Sequence, residues 1–93
     1  MREQEIERRL VKMTKEMGGR AFKFTSPGTS GVPDRLLLFP GGRIAFAELK
    51  APGKKLRPQQ AIRKRQIERL GFRVYVIDRM DQIGGMLDEI LSA

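Results

Sequence analysis

The stretch GVPDRLLLFPGGRIAFAELK, residues 31–50, holds two apolar runs separated by the turn-forming residues PGG. The runs have the length of β-strands, so the stretch predicts a β-hairpin. The first residue of an antiparallel hairpin lies beside its last residues, which brings Asp34 close to Glu48. Side chains alternate along a strand with a period of two, so Glu48 and Lys50 point to the same face. The hairpin therefore predicts that two carboxylates and one ammonium group converge at one end of a sheet.

The segment before the hairpin is suited to fixing the direction of Asp34. Gly31 gives the backbone freedom just before the strand, and Pro33 then restricts φ. A second interpretation stays open at this point, in which Glu48 and Lys50 are a surface ion pair on an edge strand and Asp34 caps a turn. The D…ExK pattern is weak by itself in a chain with 32% charged residues.

Helical and strand patterns flank the hairpin on both sides. An amphipathic helix is predicted before it, and a helix, a strongly alternating strand and a final helix after it. The predicted bounds are helix 3–17, strands 21–24, 34–39 and 43–50, helix 58–70, strand 72–78 and helix 81–91. A helix between the third and fourth strands favours a right-handed crossover with these strands parallel. The expected fold is an α/β sandwich with a mixed sheet, in the order α-β-β-β-α-β-α.

The composition limits both the size of the fold and its chemistry. A length of 93 residues suffices for one hydrophobic core, so the range 1–93 is expected to form a single domain. Cysteine and histidine are absent, which excludes disulfides, thiolate metal sites and a histidine general base. No apolar run approaches the roughly 18 residues of a membrane span, so we expect no membrane association and a cytoplasmic location, in a cell or a phage-infected host cell. A formal net charge of +8 favours an anionic partner, with nucleic acid as the leading interpretation.

The converging carboxylates predict a metal site. Asp34 and Glu48 would repel each other without a cation between them. Oxygen ligands without histidine or cysteine select a hard ion, Mg²⁺ or Mn²⁺, and the backbone carbonyl of Leu49 is a further candidate ligand. Such a site suits phosphodiester hydrolysis, which needs a metal to activate water and a positive group such as Lys50 near the developing charge.

Three motifs, in this order, resemble the VRR-NUC branch of the PD-(D/E)xK nuclease superfamily. They are GVPD before the first hairpin strand, AELK at the end of the second, and LRPQQ at the start of the following helix. The resemblance runs from the first helix to YVID and implies a restriction-endonuclease-like core, in which Asp34 and Glu48 bind divalent metal and Lys50 assists the attacking water. The family spacing L-x-P-x-Q implies that Gln60, rather than Gln59, completes the catalytic site.

The resemblance also implies a catalytic role for Glu7, on the first helix. A helical projection places Glu7 at the edge of the apolar stripe, between Thr14 and Val11. A partly buried salt bridge is an equally open interpretation of Glu7. For Gln60, the open alternative is a solvated position at the start of a helix.

Basic residues near the predicted site are candidates for binding DNA. They are Lys54, Lys55 and Arg57 in the loop after the second hairpin strand, and Lys64 on the second helix. The loop cations are placed to clamp phosphates near the cleaved bond. The cations of the second helix are equally consistent with a solvated face.

Together these features favour a metal-dependent DNA endonuclease. The resemblance implies a bias toward branched DNA such as four-way junctions, and a homodimer is expected because one small chain offers one site and a small footprint. Ile62 or Ile67 of the second helix is the expected contact between copies. The main alternative is a basic nucleic-acid-binding module without catalysis, although acidic residues repel phosphate unless a metal intervenes. A non-enzymatic subunit that assembles through the first and third helices is another.

Overall fold

The computed structural model describes residues 2–92. Within them, helices and strands follow one another in the predicted order. Their bounds are α1 Glu3–Glu16, β1 Arg20–Lys23, β2 Arg35–Phe39, β3 Arg43–Leu49, α2 Pro58–Arg69, β4 Arg73–Ile77 and α3 Gln82–Ser92. No helix in this part of the chain is both long enough and apolar enough to cross a lipid bilayer.

The four strands form one sheet in the order β1-β2-β3-β4. The first three strands are antiparallel neighbours, and β4 lies parallel to β3. This arrangement confirms the predicted hairpin and the parallel crossover. It also makes β3 an inner strand, with hydrogen-bonded neighbours on both sides.

One face of the sheet, called the inner face below, packs against α1 and α3 and forms the core. Its apolar side chains are at most 6% exposed. They are Leu37, Phe39, Ala45, Ala47, Leu49 and Ile77 of the sheet, Ile6 and Leu10 of α1, and Ile83, Met86, Leu87 and Ile90 of α3. Burial of each large aliphatic side chain contributes about 1.5–3 kcal/mol, so this face supplies most of the hydrophobic stabilisation.

The opposite face, called the outer face below, is apolar but only partly covered. The strand registers arrange its side chains in rows across the strands. One row contains Phe22, Leu36, Phe46 and Val74, and the next contains Leu38 and Ile44. Phe22, Leu38 and Ile44 are 51%, 36% and 40% exposed. The outer face therefore leaves large apolar side chains in contact with water.

Aromatic rings on the outer face contact one another. The ring centroids of Phe24 and Phe46 are 5.4 Å apart, and those of Phe46 and Phe72 are 6.2 Å apart with the rings edge to face. Such pairs contribute about 0.5–1.5 kcal/mol beyond their buried area. The rings thus support a face that no helix covers completely.

The apolar stripe of α1 differs from its prediction at the C-terminal end. Met17 is predicted to extend the stripe but is 47% exposed, because the helix ends at Glu16 and Met17 is its C-cap. Thr14 occupies the buried position instead, at 0% exposure. Elsewhere each predicted bound lies within one residue of the observed bound, and β4 is one residue shorter at each end than predicted.

Candidate active site

The outer-face row at one end of the sheet contains the two predicted carboxylates. Arg35 pairs with Ala47 across β2 and β3, so the next residues, Asp34 and Glu48, lie opposite each other. The backbone carbonyl of Asp34 accepts a hydrogen bond from the N–H of Phe24 at 2.9 Å, which extends the row to the end of β1. The structure thus brings the two carboxylates together, as the hairpin predicted.

Asp34 is held by the backbone of β3 and by the loop before it. Its Oδ2 accepts a hydrogen bond from the N–H of Leu49 at 3.0 Å, and the preceding Pro33 is buried. Gly31 has a φ of +82°, and a Cβ atom added to it would lie 2.6 Å from the carbonyl oxygen of Gln59. Only glycine fits where this loop meets the first turn of α2, so the same contact positions the loop and the helix.

Glu48 lies at the centre of a buried polar cluster. Its side chain is 5% exposed, and its Oε2 accepts a hydrogen bond from Nε2 of Gln60 at 2.7 Å. The same oxygen lies 3.2 Å from Nζ of Lys50. Lys50 Nζ in turn donates to Oε1 of Gln60 at 2.8 Å. The three side chains form a closed triangle in which each contacts the other two.

This burial excludes the interpretation of Glu48 and Lys50 as a surface ion pair on an edge strand. β3 is an inner strand, and the Lys50 side chain is only 12% exposed. Burial raises the pKa of Glu48 above its ordinary value, and the charge of Asp34 raises that pKa further, while Lys50 lowers it. The net direction is upward, so Lys50 does not fully offset the cost of placing the Glu48 charge here.

Gln60 reaches Glu48 because α2 begins at Pro58, which places Gln60 in the first turn of the helix. Proline suits the first helical position, where its missing N–H leaves no hydrogen bond unmade. Gln60 Oε1 also accepts a hydrogen bond from the backbone N–H of Arg57 at 2.9 Å, which caps the helix. Gln60 is 7% exposed, whereas Gln59 is exposed. The interpretation of Gln60 as a solvated residue is therefore wrong.

Glu7 lies apart from this triangle. Its Oε2 accepts a hydrogen bond from Nε of Arg35 at 2.9 Å and lies 3.8 Å from Nζ of Lys23. Arg35 also donates to the backbone carbonyl of Ala21 at 3.1 Å. These contacts match the partly buried salt bridge that the sequence left open. Within residues 2–92, no hydrogen bond or ion pair joins Glu7 to Lys50.

Arg35 is the residue beside the site that the sequence analysis missed. It directly follows Asp34, and its side chain is 15% exposed. Along β2, Arg35 lies two residues before Leu37 and four before Phe39, so its side chain is on the inner face together with theirs. A charged residue in an otherwise apolar alternation indicates that an opposite charge must approach it, and that charge is Glu7.

The candidate DNA-binding residues differ in their surroundings. Lys54, Lys55 and Arg57 are exposed in the loop that follows β3. Lys64 instead forms an ion pair with Glu68, one helical turn away on α2, at 3.0 Å. The loop cations are therefore open to a polyanion, while Lys64 already has an anionic partner.

The donor set at Asp34 and Glu48 fits a hard divalent cation. Both groups are carboxylates in one row of the sheet. Burial first, and then the charge of Asp34, raises the pKa of Glu48, and a cation between the two carboxylates would favour their charged forms. In the described part of the chain, no group of three or more His, Cys, Asp or Glu side chains gathers as a metal site. A cation would therefore rely on two carboxylates and complete its coordination with backbone, water or substrate oxygens, which is the usual manner of Mg²⁺.

Comparison with known proteins agrees with this geometry. No family model matches the sequence. The chain is 47% identical over 81 residues to "Putative nuclease p44" of Acyrthosiphon pisum secondary endosymbiont phage 1, a match that covers 87% of each protein. The fold of the present chain matches a solved structure named "VRR_NUC domain" with a TM-score of 0.87 and 26% identity, over 92% of this chain and 94% of that one. The chain belongs to the VRR-NUC nuclease family.

Membership of the VRR-NUC family confirms what the motifs GVPD, AELK and LRPQQ implied about ancestry and fold. The element order and mixed sheet are those of a restriction-endonuclease-like core. In this VRR-NUC chain, four of the predicted site residues converge, namely Asp34, Glu48, Lys50 and Gln60. The fifth, Glu7, is paired elsewhere.

Proposed function

We propose that this chain is a divalent-metal-dependent endonuclease that hydrolyses phosphodiester bonds in DNA. The observation that carries the proposal is the cross-strand pair of Asp34 and Glu48, with Lys50 and Gln60 hydrogen-bonded beside it. Two neighbouring carboxylates cost free energy unless they share a cation, so a purely structural role does not account for them. A non-catalytic basic module likewise gives no reason to keep such a pair in a chain of charge +8.

The cation we propose is Mg²⁺ or Mn²⁺, held by the carboxylates of Asp34 and Glu48 and by the carbonyl oxygen of Leu49. The N–H of Leu49 points toward Asp34, and in an extended strand the carbonyl of the same residue points to the same side. Continuing the register of β2 and β3 puts Pro33 opposite Leu49, and proline has no N–H to donate to that carbonyl. When bound, the cation supplies polarisation of a phosphoryl oxygen and a lowered pKa of water.

Lys50 is the proposed partner of the attacking water. Its ammonium group is held by Glu48 and Gln60, so its position is fixed before the substrate arrives. From this position the Lys50 ammonium can orient the water or offset the charge that develops on the phosphate, and only a Lys50 that has first lost a proton can deprotonate the water. Gln60 donates to Glu48 and accepts from Lys50. Its amide therefore keeps the two groups in a fixed relation to each other.

Glu7 is proposed to act through Arg35 rather than on the reacting atoms. The ion pair fixes Arg35 at the start of β2, immediately after Asp34. Glu7 is in this sense a positioning residue. The direct catalytic role that the family resemblance implies for it stays a prediction.

The substrate we propose is branched DNA such as a four-way junction, cut by a homodimer. A chain with one carboxylate pair cuts one strand at a time, so two opposed strands call for two copies. Lys54, Lys55 and Arg57 are the proposed contacts to phosphates near the cleaved bond, with a smaller contribution from Lys64 because of its ion pair. We expect the protein to meet this DNA in the cytoplasm of a cell or of a phage-infected host.

The outer face of the sheet is the proposed contact between the two copies. Phe22, Leu38 and Ile44 keep 36–51% of their surface exposed there, and a contiguous exposed apolar face marks an interaction site. The rows that contain them carry Arg20 as their one charged side chain in the described strands, so the face suits protein better than a phosphate backbone. Two strongly basic chains can also meet on it with little charge repulsion. The sequence alone favoured Ile62 or Ile67 of α2 as the contact, and of these Ile62 is 45% exposed while Ile67 is partly buried.

One cleavage assay tests the proposed function. A four-way junction and a linear duplex of matched sequence are incubated with the protein in Mg²⁺ and in EDTA, and its mass is measured by light scattering at micromolar concentration. We expect cleavage only with Mg²⁺, faster on the junction, and twice the chain mass of 10.6 kDa. Binding without cleavage in either condition would favour the non-catalytic module. A monomeric mass with equal rates on both substrates would contradict the dimeric, junction-selective proposal while leaving the nuclease intact.

A further inference from the structure

A groove of about 720 Å³ runs between the solvent side of α1 and the start of β2. Four cations and one carboxylate are among the residues that line it. They are Arg8, Lys12, Lys15 and Arg35, together with Glu7. The groove lies at the β1 side of the sheet, whereas the loop cations Lys54 and Lys55 follow β3.

The cations of the groove fall into two groups. Arg35 and Glu7 neutralise each other at 2.9 Å. Arg8, Lys12 and Lys15 are exposed, and in residues 2–92 none of these three takes part in a salt bridge. The positive charge available to a ligand therefore comes from these three residues, which we call the α1 stripe.

The spacing of the α1 stripe has an energetic cost for the helix. Positions 8, 12 and 15 are separated by four and three residues, so the three cations share one face. Like charges at these spacings destabilise a helix by about 0.2–0.5 kcal/mol per pair. Glu5, three residues before Arg8, and Glu16, four residues after Lys12, are exposed on the same helix and offset part of this repulsion. An anionic ligand along the stripe would offset the rest.

The N-terminal end of the α1 stripe lies at the same end of the sheet as the proposed active site, although α1 packs on the inner face and the site lies on the outer face. Glu7, one residue before Arg8, contacts Arg35, which directly follows Asp34. The other end of α1 lies far from the site, because Gly19 packs against Phe39 at the end of β2. From Arg8 to Lys15 the helix rises by about 10.5 Å. One strand of a duplex presents a phosphate about every 3.4 Å along its axis, so the stripe matches roughly three phosphates.

We infer that the α1 stripe binds the phosphate backbone of nucleic acid outside the bond that is cleaved. The inference rests on the proposed function in one respect, because the path of the DNA from the active site to the stripe assumes that the site binds DNA. Binding of DNA to the stripe does not itself require cleavage. The stripe makes backbone contacts, which position a duplex without reading its sequence. Nucleic acid is favoured over an acidic protein surface because the proposed active site at the same end of the sheet acts on the same ligand.

Salt-dependent DNA binding in EDTA tests the inference without any cleavage. The affinity of wild type for a 20-base-pair duplex is measured by fluorescence anisotropy from about 50 to 200 mM KCl, a range over which phosphate contacts weaken steeply. The test variant is Arg8→Ala with Lys12→Ala. The matched control is Arg65→Ala with Arg69→Ala, which removes the same charge from two exposed positions four residues apart on α2, neither of which takes part in a salt bridge in residues 2–92. Circular dichroism verifies that both variants fold.

The slope of log affinity against log salt decides the outcome. Each lost phosphate contact reduces the slope by about 0.9, so the test variant should lose about 1.8 and the control should keep the wild-type slope. Equal slopes in the test variant and the control would overturn the inference, as would absence of duplex binding by wild type at the lowest salt. The expected slope change in a protein that never cuts DNA would support the stripe and refute the nuclease proposal. Metal-dependent cutting by wild type, with the wild-type slope kept in the test variant, would support the nuclease proposal and refute the inference about the α1 stripe.

Discussion

The two faces of the sheet are built from the same strands but serve different purposes. On β2, Leu37 points to the inner face and is 0% exposed, while its neighbour Leu38 points to the outer face and is 36% exposed. On β3, Ala47 is fully buried in the core, while Glu48 is buried within a polar triangle. The inner face thus supplies stability. The outer face has a row of charged groups at one end and exposed apolar rows beside it. Neither feature contributes to a hydrophobic core, so the outer face serves a role other than stability.

The largest expected effect falls on chemistry at the outer face. Lys50→Ala should slow Mg²⁺-dependent cleavage by about 10²–10⁴-fold, which is the usual contribution of a positioned proton-transfer group. Single-turnover cleavage of a four-way junction measures the loss, and DNA affinity in EDTA should stay near wild type. Lys50→Arg separates the possible roles, since arginine keeps the positive charge but does not release a proton. Unchanged turnover in Lys50→Ala would reduce Lys50 to a structural ion pair.

A substitution on the inner face should affect stability almost as strongly. Leu37→Ala removes a fully buried side chain and should lower the free energy of unfolding by about 2–5 kcal/mol. Leu38→Ala, the same change one residue later on the other face, should cost less than about 1 kcal/mol at sub-micromolar protein concentration. Urea unfolding of both variants measures the difference. Similar losses in the two would mean that the outer face is a second core.

Gln60 tests the polar triangle with a smaller effect. Gln60→Ala leaves Glu48 and Lys50 without a shared partner, and hydrogen bonds to charged groups contribute about 1.5–3 kcal/mol. Cleavage should fall roughly 10- to 100-fold, at about 1.4 kcal/mol per tenfold change. The control is Gln59→Ala at the adjacent exposed position, which should cleave like wild type. Equal cleavage rates in Gln60→Ala and Gln59→Ala would contradict the assignment of Gln60, rather than Gln59, to the catalytic site.

The smallest effect on stability is expected from a charge placed on the outer face. Leu38→Lys should leave the free energy of unfolding of the monomer within about 0.5 kcal/mol, as for most surface changes. Its mass in solution should nevertheless fall from a dimer to a monomer, because a buried lysine at the contact has no partner. Ile62→Lys on α2 is the companion variant. Loss of the dimer in Ile62→Lys alone would move the contact from the sheet to α2.

Much of the fold could be predicted from local patterns in the sequence. The alternation in 43–50 and the turn at PGG fix a hairpin, and hairpin geometry alone brings Asp34 opposite Glu48. Glycines and prolines mark most element ends, so the predicted bounds lie within two residues of the observed ones. Alternation also predicted that Glu48 and Lys50 share a face, which their 3.2 Å contact confirms.

Contacts between distant elements could not be predicted in the same way. Glu7 on α1 was expected near the catalytic cluster or in a salt bridge, and only the packing of α1 against the sheet identifies Arg35 as its partner. The burial of Thr14 in place of Met17 likewise depends on where α1 ends. The requirement for glycine at position 31 comes from its approach to α2, far away in sequence. Each of these facts depends on tertiary packing, which the local periodicity of the sequence does not predict.

The most direct test of the central claim is cleavage by Asp34→Asn and Glu48→Gln, measured beside wild type on one four-way junction in the same Mg²⁺ buffer. Each change removes one negative charge from the proposed metal site and leaves the basic surfaces intact. Loss of metal binding removes several kcal/mol of transition-state stabilisation, so both folded variants should cleave at least about 10³-fold more slowly. Their DNA affinity should not fall, because the lost charges repel phosphate. Mg²⁺-dependent cleavage at the wild-type rate in either variant would contradict the assignment of the outer-face carboxylates as the metal site.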